Sequence, residues 1–327
     1  MAKRTIQTCR FYADIPQYLK ALGFYEGSNT PDAWDMNPIN IQEYSSSLEF
    51  NINRTSKELD QLLTNIPKST SSGVYGAVFG HTLKDVEYFL KINNTDVDQT
   101  TEIINYSSKK SQYNGYSFWN IDVLQESTVN KISLDLNSDA QIGAVSFGRW
   151  FEPEKTPDLK IKLQTEYDGI MSQETVGGNS ITNINHLGQP HWGDLPAWTL
   201  EKKDKHDYKL GANTQRRTWN LSFSYMSSNN IFNKSNNPNK FFTVTDDNYE
   251  FDTSMASFFL LTLNGKLRFW FCPNSDGSNN TSENLSQIQE GEKDLEFALC
   301  QIDQDSLVFN QVAFATWNVS MKIREVY

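Results

Sequence analysis

The strictest constraint on the fold is an alternation of apolar and polar residues near the end of the chain. Over residues 219–225 every second side chain is large and apolar, and the residues between them are polar. Residues 317–324 show the same alternation. A period of two places successive side chains on opposite faces of a strand. The pattern predicts two amphipathic strands of matching length, with these side chains on the apolar faces: Trp219, Leu221, Phe223 and Tyr225, then Trp317, Val319, Met321 and Ile323.

A short helix is predicted between these two strands. The apolar segment 254–263 is followed by Asn264 and Gly265, which commonly end helices, and then by a strand-like segment over 267–271. We therefore expect residues 161–327 to form an antiparallel β-barrel or sheet with one short helix packed on it.

The first half of the chain also predicts strands. Between residues 46 and 160, short apolar segments are bounded by Asn, Asp, Ser or Gly, which is typical of an antiparallel β-sandwich. Residues 1–45 contain many aromatic residues and prolines without sustained periodicity. We expect them to form an extended arm, with at most one short helix near residues 16–22, lying along its own body or a neighbour.

Charge and hydropathy exclude several classes of partner. The formal net charge is −11 and no basic cluster occurs, which argues against a nucleic-acid groove. No apolar run approaches a membrane span, so we expect no membrane insertion. Because no apolar segment follows the first four residues, we expect a chain kept in the cytoplasm or in a particle assembled there. The three cysteines, which stand in apolar surroundings, are expected to be buried free thiols: Cys9, Cys272 and Cys300.

No catalytic pattern stands out. The chain has four histidines, and it lacks a nucleophile elbow, a phosphate-binding glycine loop and a dinucleotide fingerprint. His186 and His191 are five residues apart in a Gly-Pro loop, where hydrogen-bonded structure is commoner than a metal site. Glycoside cleavage needs two carboxylates that face one bond. The acidic residues that could form such a pair are adjacent or nearly adjacent in the sequence, which is the ordinary arrangement on surface turns. We therefore predict a protein that is not an enzyme and that has no cofactor and no metal.

The segment 147–198 is rich in Gly, Pro, Trp and Asn, a composition that predicts a long, structured loop region. Long loops in compact folds often contact a partner, and Trp is enriched at interfaces. We assign four of its residues to contacts between subunits or domains: Arg149, Trp150, Trp192 and Trp198. The alternative is a sugar site, in which the Trp192 ring stacks against a pyranose ring and Asn185 and Asp194 hydrogen-bond to the sugar hydroxyls.

Several motifs carry a resemblance to a known group of proteins. They are Arg217-x-Trp219-x-Leu221-x-Phe223-x-Tyr225-Met226, residues 265–273, Phe297 to Asp303, and the Phe-Gly-Arg-aromatic, Pro-Asp-Leu and Glu-Tyr-Asp-Gly signatures of the segment 147–198. Residues 140–327 resemble uncharacterised virion structural proteins of marine contractile-tailed bacteriophages. They are more loosely similar to the barrel of phage distal-tail and baseplate proteins. Residues 45–165, through Gly80-His81-Thr82-Leu83, weakly resemble galactose-binding-like jelly rolls.

The resemblance implies a virion structural protein of the phage tail, most consistent with the distal-tail or baseplate region and assembled in the host cytoplasm. The partners it implies are other copies of the chain, in a ring of six by the habit of the family, and other tail or baseplate proteins. Ring closure would use repeated heterologous contacts. Two alternatives remain open at this point. One is a carbohydrate-binding module for attachment to a host surface glycan, and the other is a head-to-tail connector or decoration protein.

Overall fold

A computed structural model gives the fold of this mainly β, antiparallel protein. It describes residues 9–26, 32–37, 40–52, 72–81, 88–93, 115–121, 131–136, 139–166, 170–184, 191–192, 195–196, 216–232, 254–273, 298–303 and 307–326.

A ten-stranded antiparallel sheet forms the body of the protein. From one edge to the other its strands run β11, β16, β20, β18, β17, β1, β10, β5 and β7, and β19 pairs with β20 as a hairpin beside β18. The bounds are β1 Arg10–Asp14, β5 Ser72–His81, β7 Gly115–Ile121, β10 Ala144–Phe151, β11 Lys162–Glu166, β16 Arg216–Ser227, β17 Phe269–Cys272, β18 Ala298–Ile302, β19 Val308–Ala313 and β20 Thr316–Glu325.

Smaller sheets account for the remaining strands. A four-stranded sheet has the order β2, β4, β8 and β6, and three two-stranded sheets pair β3 with β9, β12 with β13, and β14 with β15. Their bounds are β2 Tyr25–Glu26, β3 Gln42–Tyr44, β4 Leu48–Ile52, β6 Tyr88–Asn93, β8 Lys131–Leu136, β9 Ala140–Ile142, β12 Ile170–Glu174, β13 Ser180–Ile184, β14 His191–Trp192 and β15 Leu195–Pro196.

The described helices are short: α1 Ile15–Leu22, a 3-10 turn Asp32–Asp35, α2 Ser228–Ile231 and α3 Met255–Leu261. The Asp14 carboxylate caps α1 by accepting a hydrogen bond from the Gln17 amide at 2.8 Å, and Gly23 ends it in the left-handed conformation. The helix expected near residues 16–22 and the helix expected within 254–263 are both confirmed.

The main sheet buries a continuous apolar face, here called the core face. The Phe11 ring of β1 lies at its centre, 5.1 Å from Phe271 and 5.0 Å from Phe258 of α3, between ring centroids. The side chains of α1, the 3-10 turn, β4 and β8 join the same apolar cluster. The core face therefore lies between the main sheet and a second layer of helices and short strands.

The first described strand is central to the sheet. β1 pairs with β10 on one side and with β17 on the other, so it joins the strands of the first half of the chain to those of the second. Residues 10–14 thus lie in the interior of the sheet, although the sequence suggests an arm. The predicted limits at residues 45 and 160 remain predictions.

The alternation that opened the sequence analysis is confirmed in β16 and β20 with one exception. Trp219, Leu221 and Phe223 point to the core face opposite Ile323, Met321 and Val319. The prediction is wrong for Tyr225, which is 69% exposed. A β-bulge interrupts the pairing between Phe223 and Met226, and Tyr225 has a φ of +60°, so the residue turns out of the sheet.

Candidate interaction surface

The buried ionisable groups of the main sheet are engaged in its own structure. Glu325 is fully buried and accepts hydrogen bonds from Arg217 Nε at 2.9 Å and Nη2 at 2.7 Å. Burial raises the pKa of Glu325, and the Arg217 guanidinium opposes that rise. Arg10 lies 3.9 Å above the Trp150 ring and 3.3 Å from the Glu152 carboxylate. These pairs hold neighbouring strands together.

Asp14 is a second buried carboxyl of the main sheet. Its Oδ1 accepts hydrogen bonds from Ser146 Oγ at 2.8 Å and from the Phe147 amide at 3.0 Å, while Tyr75 hydrogen-bonds to the same Ser146 hydroxyl. Burial raises the pKa of Asp14 to about 7, and the hydrogen bonds limit that rise. The network fixes the junction of β1 and α1 against β10, which is a structural task.

Within the described ranges no group of acidic, histidine or cysteine side chains is arranged to hold a metal ion. The three cysteines are free and buried, as expected. Burial raises the pKa of Cys9 and of Cys300, so both thiols stay protonated. Among the helices that the structure describes, none has the length and hydropathy needed to cross a membrane.

Two of the predicted contact residues are inside the protein. The Arg149 side chain is 0% exposed and Trp150 is 7% exposed, so neither offers a surface to another subunit. Both lie on β10 between β1 and β5, and the interdomain role predicted for them stays a prediction. Trp192 lies on β14, but its side chain is outside the described residues, as are Asn185, Asp194 and Trp198.

Five exposed apolar side chains lie on the segment before β11, on β11 itself, at the bulge of β16 and on the β19–β20 hairpin. We call this set the edge surface: Leu159, Leu163, Tyr225, Val312 and Phe314, which are 92%, 54%, 69%, 46% and 84% exposed. Leu163 lies on β11, the terminal strand of the described sheet, in register with Trp219 of β16. No sequence signal indicated this surface, because each of its five residues is of an apolar type that usually lies in a core.

The segment before β11 is held firmly against β16. The Asp158 amide donates to the Ser222 carbonyl at 2.7 Å, and the Asp158 carboxylate accepts from Ser224 Oγ at 2.8 Å. Further along, Glu154 accepts from Ser227 Oγ at 2.7 Å. These bonds fix the backbone before Leu159, and the pairing of β11 with β16 fixes it from Lys162 onward, so the exposed Leu159 side chain is carried on an ordered edge.

The other end of the edge surface is the hairpin of β19 and β20. Ala315, at its turn, has a φ of +55°, and its carbonyl accepts a hydrogen bond from the Ser228 amide at 2.9 Å. Tyr225 is tied to the same strand, because its amide donates to Asn318 Oδ1 at 3.1 Å. The Phe314 ring is therefore exposed on a turn that is anchored to α2, close to the bulge that carries Tyr225.

A polar cleft lies elsewhere on the molecule, between α1 and the turn that leads into β17. Its volume is about 540 Å³, and it is lined by Gln17, Lys20, Ala21, Asp35, Asn37, Lys266, Leu267, Arg268 and Gln301. No sequence motif indicated it, because its walls come from four separate segments.

Comparison with known proteins adds no relative to this picture. No protein-family model, no curated protein and no solved structure matches the chain. The function of the chain is therefore inferred from its own residues.

Proposed function

We propose that the chain is a structural subunit of a bacteriophage tail, in the distal-tail or baseplate region, and that it assembles with other copies of itself into a ring. The assignment to a phage tail is what the resemblance of residues 140–327 implies, and the edge surface is the structural observation that supports assembly with other copies. It places large apolar side chains in solvent on an ordered strand edge, and such edges favour pairing with another chain. An edge that is complementary to a different surface of the next copy gives heterologous contacts, and these can close a ring.

The finer description of the fold belongs to the same proposal. We assign the first half to a galactose-binding-like jelly-roll sandwich and the second to a tail-type barrel. The sandwich is supported by packing between two layers, since Phe50 of β4 lies 5.8 Å from Trp34 and both join the cluster that contains Val78 of β5. Curvature of the main sheet, whose strands come from both halves of the chain, is compatible with a barrel: Phe79 of β5 stacks on Trp270 of β17 at 3.6 Å across two intervening strands.

The assembly is tested with the purified full-length chain. Light scattering after size exclusion, over about 1 to 100 μM, measures the mass, and negative-stain imaging shows the shape of the species that elutes. We expect a closed ring. A chain that stays monomeric over the whole range would contradict self-assembly into a ring.

Matched variants test the surface itself. In the double variant Leu159→Lys and Leu163→Lys we expect a monomer with an unchanged circular dichroism spectrum, because desolvating two charges opposes the contact. The control is Leu22→Lys on α1, an exposed apolar residue away from the edge surface, and it should still form the ring. Rings formed equally by the double variant would show that the edge surface is not the contact.

The position in the particle needs a separate measurement. Antibodies against the chain, applied to virions of the phage that encodes it, should label the distal end of the tail. Labelling at the neck would support a connector instead, and labelling along the head would support a decoration protein.

A further inference from the structure

The cleft beside α1 has a charge opposite to that of the chain as a whole. Three cationic side chains, Lys20, Lys266 and Arg268, line it together with one carboxylate, that of Asp35. Lys20 is ion-paired with Asp35, and Lys266 and Arg268 are the other two cations of the described lining. In a chain with a formal net charge of −11, such a concentration of cations marks a place where an anion is favoured.

The walls of the cleft are held in place by hydrogen bonds. The Arg268 amide donates to Gln17 Oε1 at 2.9 Å, and Arg268 Nη1 donates to the Met36 carbonyl at 2.9 Å. Across the cleft, Gln301 Nε2 donates to the Lys266 carbonyl at 2.5 Å. A site whose polar groups are already positioned loses less entropy when a ligand binds.

A tight turn fixes the position of Lys266. Gly265 has a φ of +78°, and a Cβ added to it would lie 2.1 Å from Ile302 Cδ1, so only glycine fits there. The Gly265 carbonyl also accepts a hydrogen bond from the Ile302 amide at 3.2 Å. Lys266 therefore leaves the turn from a backbone that is packed against β18.

The uncharged residues of the lining indicate the chemistry of the rest of the ligand. Primary amides of Gln17, Asn37 and Gln301 surround the cations, and only Ala21 and Leu267 are apolar. The Asn37 side-chain oxygen is buried and accepts no hydrogen bond from the described residues, so a donor from a ligand would satisfy it. No aromatic side chain belongs to the described lining, so recognition would proceed through charge and hydrogen bonds without ring stacking.

The end of α1 offers little opposition to an anion. Helix C-termini carry partial negative charge on unpaired carbonyls. Here the Lys20 carbonyl accepts from the Gly23 amide at 3.1 Å, and the Leu19 carbonyl accepts from the Phe24 amide at 2.9 Å. The carbonyls nearest the cleft are therefore already bonded.

From these observations we infer that the cleft binds the carboxylate or phosphate group of a hydroxyl-rich ligand, that is, an acidic sugar. Lys266 and Arg268 contact the oxyanion, and the amides of Gln17, Asn37 and Gln301 bond to hydroxyls. Guanidinium and ammonium groups both bind carboxylate and phosphate oxygens, so the two anions share one chemistry. The inference does not depend on ring formation.

Calorimetric titration of the full-length chain tests this inference with D-glucuronate, D-glucose 6-phosphate and D-glucose. We expect both acidic sugars to bind with a Kd below about 10 mM, and D-glucose to bind at least tenfold more weakly. The carboxylate and phosphate probes show which anion is preferred. Raising the salt concentration should weaken both acidic sugars, because the cleft is open to solvent.

Two variants and a control locate the binding. Lys266→Gln should weaken both acidic sugars about fivefold, and Arg268→Lys, which keeps the charge but loses the planar fork, about threefold. Lys162→Gln, an exposed lysine on β11 outside the cleft, should bind as the wild type does. Equal affinity for D-glucose and D-glucuronate, no binding of either acidic sugar, an unaffected Lys266→Gln variant, or tighter binding of a tetraglutamate peptide would each overturn the inference.

Discussion

The centre of the main sheet and its C-terminal strands bury their side chains in different ways. In β16 and β20 one face is apolar and buried, and the other carries polar residues such as Asn220, Ser222 and Lys322 that reach water. In β1 and β10 every residue is buried, on both faces. The difference teaches that a strand with one wet face shows its period in the sequence, whereas a strand that is buried on both faces does not.

The central strands also contain the polar groups that a sequence would assign to a surface. Arg10, Asp14 and Arg149 are each at most 2% exposed. Such groups are tolerated inside a protein only when bonded, as Asp14 is to Ser146 and the Phe147 amide. The centre should therefore be far more sensitive to substitution than the C-terminal strands.

Gly148→Ala should destabilise the protein most, because it disrupts the packing of β1 against β10 at the centre of the sheet. A Cβ at this position would lie 1.9 Å from the Ala13 carbonyl oxygen, so β1 and β10 could not keep their spacing. We expect a loss of about 4 kcal/mol or more in the free energy of unfolding, measured by urea denaturation. Gly177→Ala, on the turn between β12 and β13 where nothing lies within 4 Å, is the control and should change little. Equal effects at the two sites would contradict the tight central packing.

Asp14→Asn tests the burial of the central strands through the pH dependence of the free energy of unfolding. Because the pKa of Asp14 is raised to about 7 in the folded protein, the folded state holds a proton that the unfolded state has lost above about pH 4. Stability from this group is therefore full at low pH and falls as pH rises towards 7. Between about pH 5 and pH 7 the wild type should lose about 2 kcal/mol relative to Asp14→Asn, whose amide still caps α1.

Urea denaturation of the two proteins in parallel, at several pH values, measures that difference. Above about pH 8 it should become constant, since Asp14 is then ionised in both states. A difference that stays flat from pH 5 to 7, or that grows in the opposite direction, would show that the carboxyl does not titrate in this range.

Glu325→Gln tests a buried charge pair between β16 and β20. Glu325 is fully buried and bonded to Arg217, so losing its charge leaves the guanidinium without its counterion, at a cost of about 2 to 3 kcal/mol in thermal or urea unfolding. Asp303→Asn breaks the half-exposed pair with Lys322, 2.5 Å apart, and should cost less than about 1 kcal/mol. If losing the exposed pair destabilised the protein more than losing the buried pair, the proposed difference in sensitivity between buried and solvent-exposed groups would be contradicted.

Tyr225→Asn should give the smallest effect, and in the stabilising direction. Tyr225 has a φ of +60°, a conformation that Asn adopts more readily, and its ring is 69% exposed. We expect a gain of about 0.5 kcal/mol in the free energy of unfolding of the monomer. Ser224→Asn, next to it in the strand, should bring no gain. A destabilised Tyr225→Asn variant would show that the ring makes contacts that stabilise the subunit itself.

The sequence predicted β16, β20, α1 and α3 because local signals and burial agree there. Ser254 and Gly265 bracket α3 as the helix signals indicate, and Trp219 and Ile323 face each other across the pair. β1 could not be recognised, because its position depends on partners about 140 and 260 residues away. The cleft was hidden for a similar reason, since Gln17 and Arg268 meet only in the folded chain.

The central place of β1 also determines how the chain must be made. A ribosome releases this strand first among the described strands, yet its partner β10 follows more than a hundred residues later and β17 more than two hundred. At ~5–20 residues per second, the second partner emerges roughly 13 to 50 s after the strand itself. Throughout that interval an apolar segment with free backbone groups on both sides is exposed to its surroundings. Its protection by a chaperone, or by transient pairing within the nascent chain, would then govern the yield of folded protein.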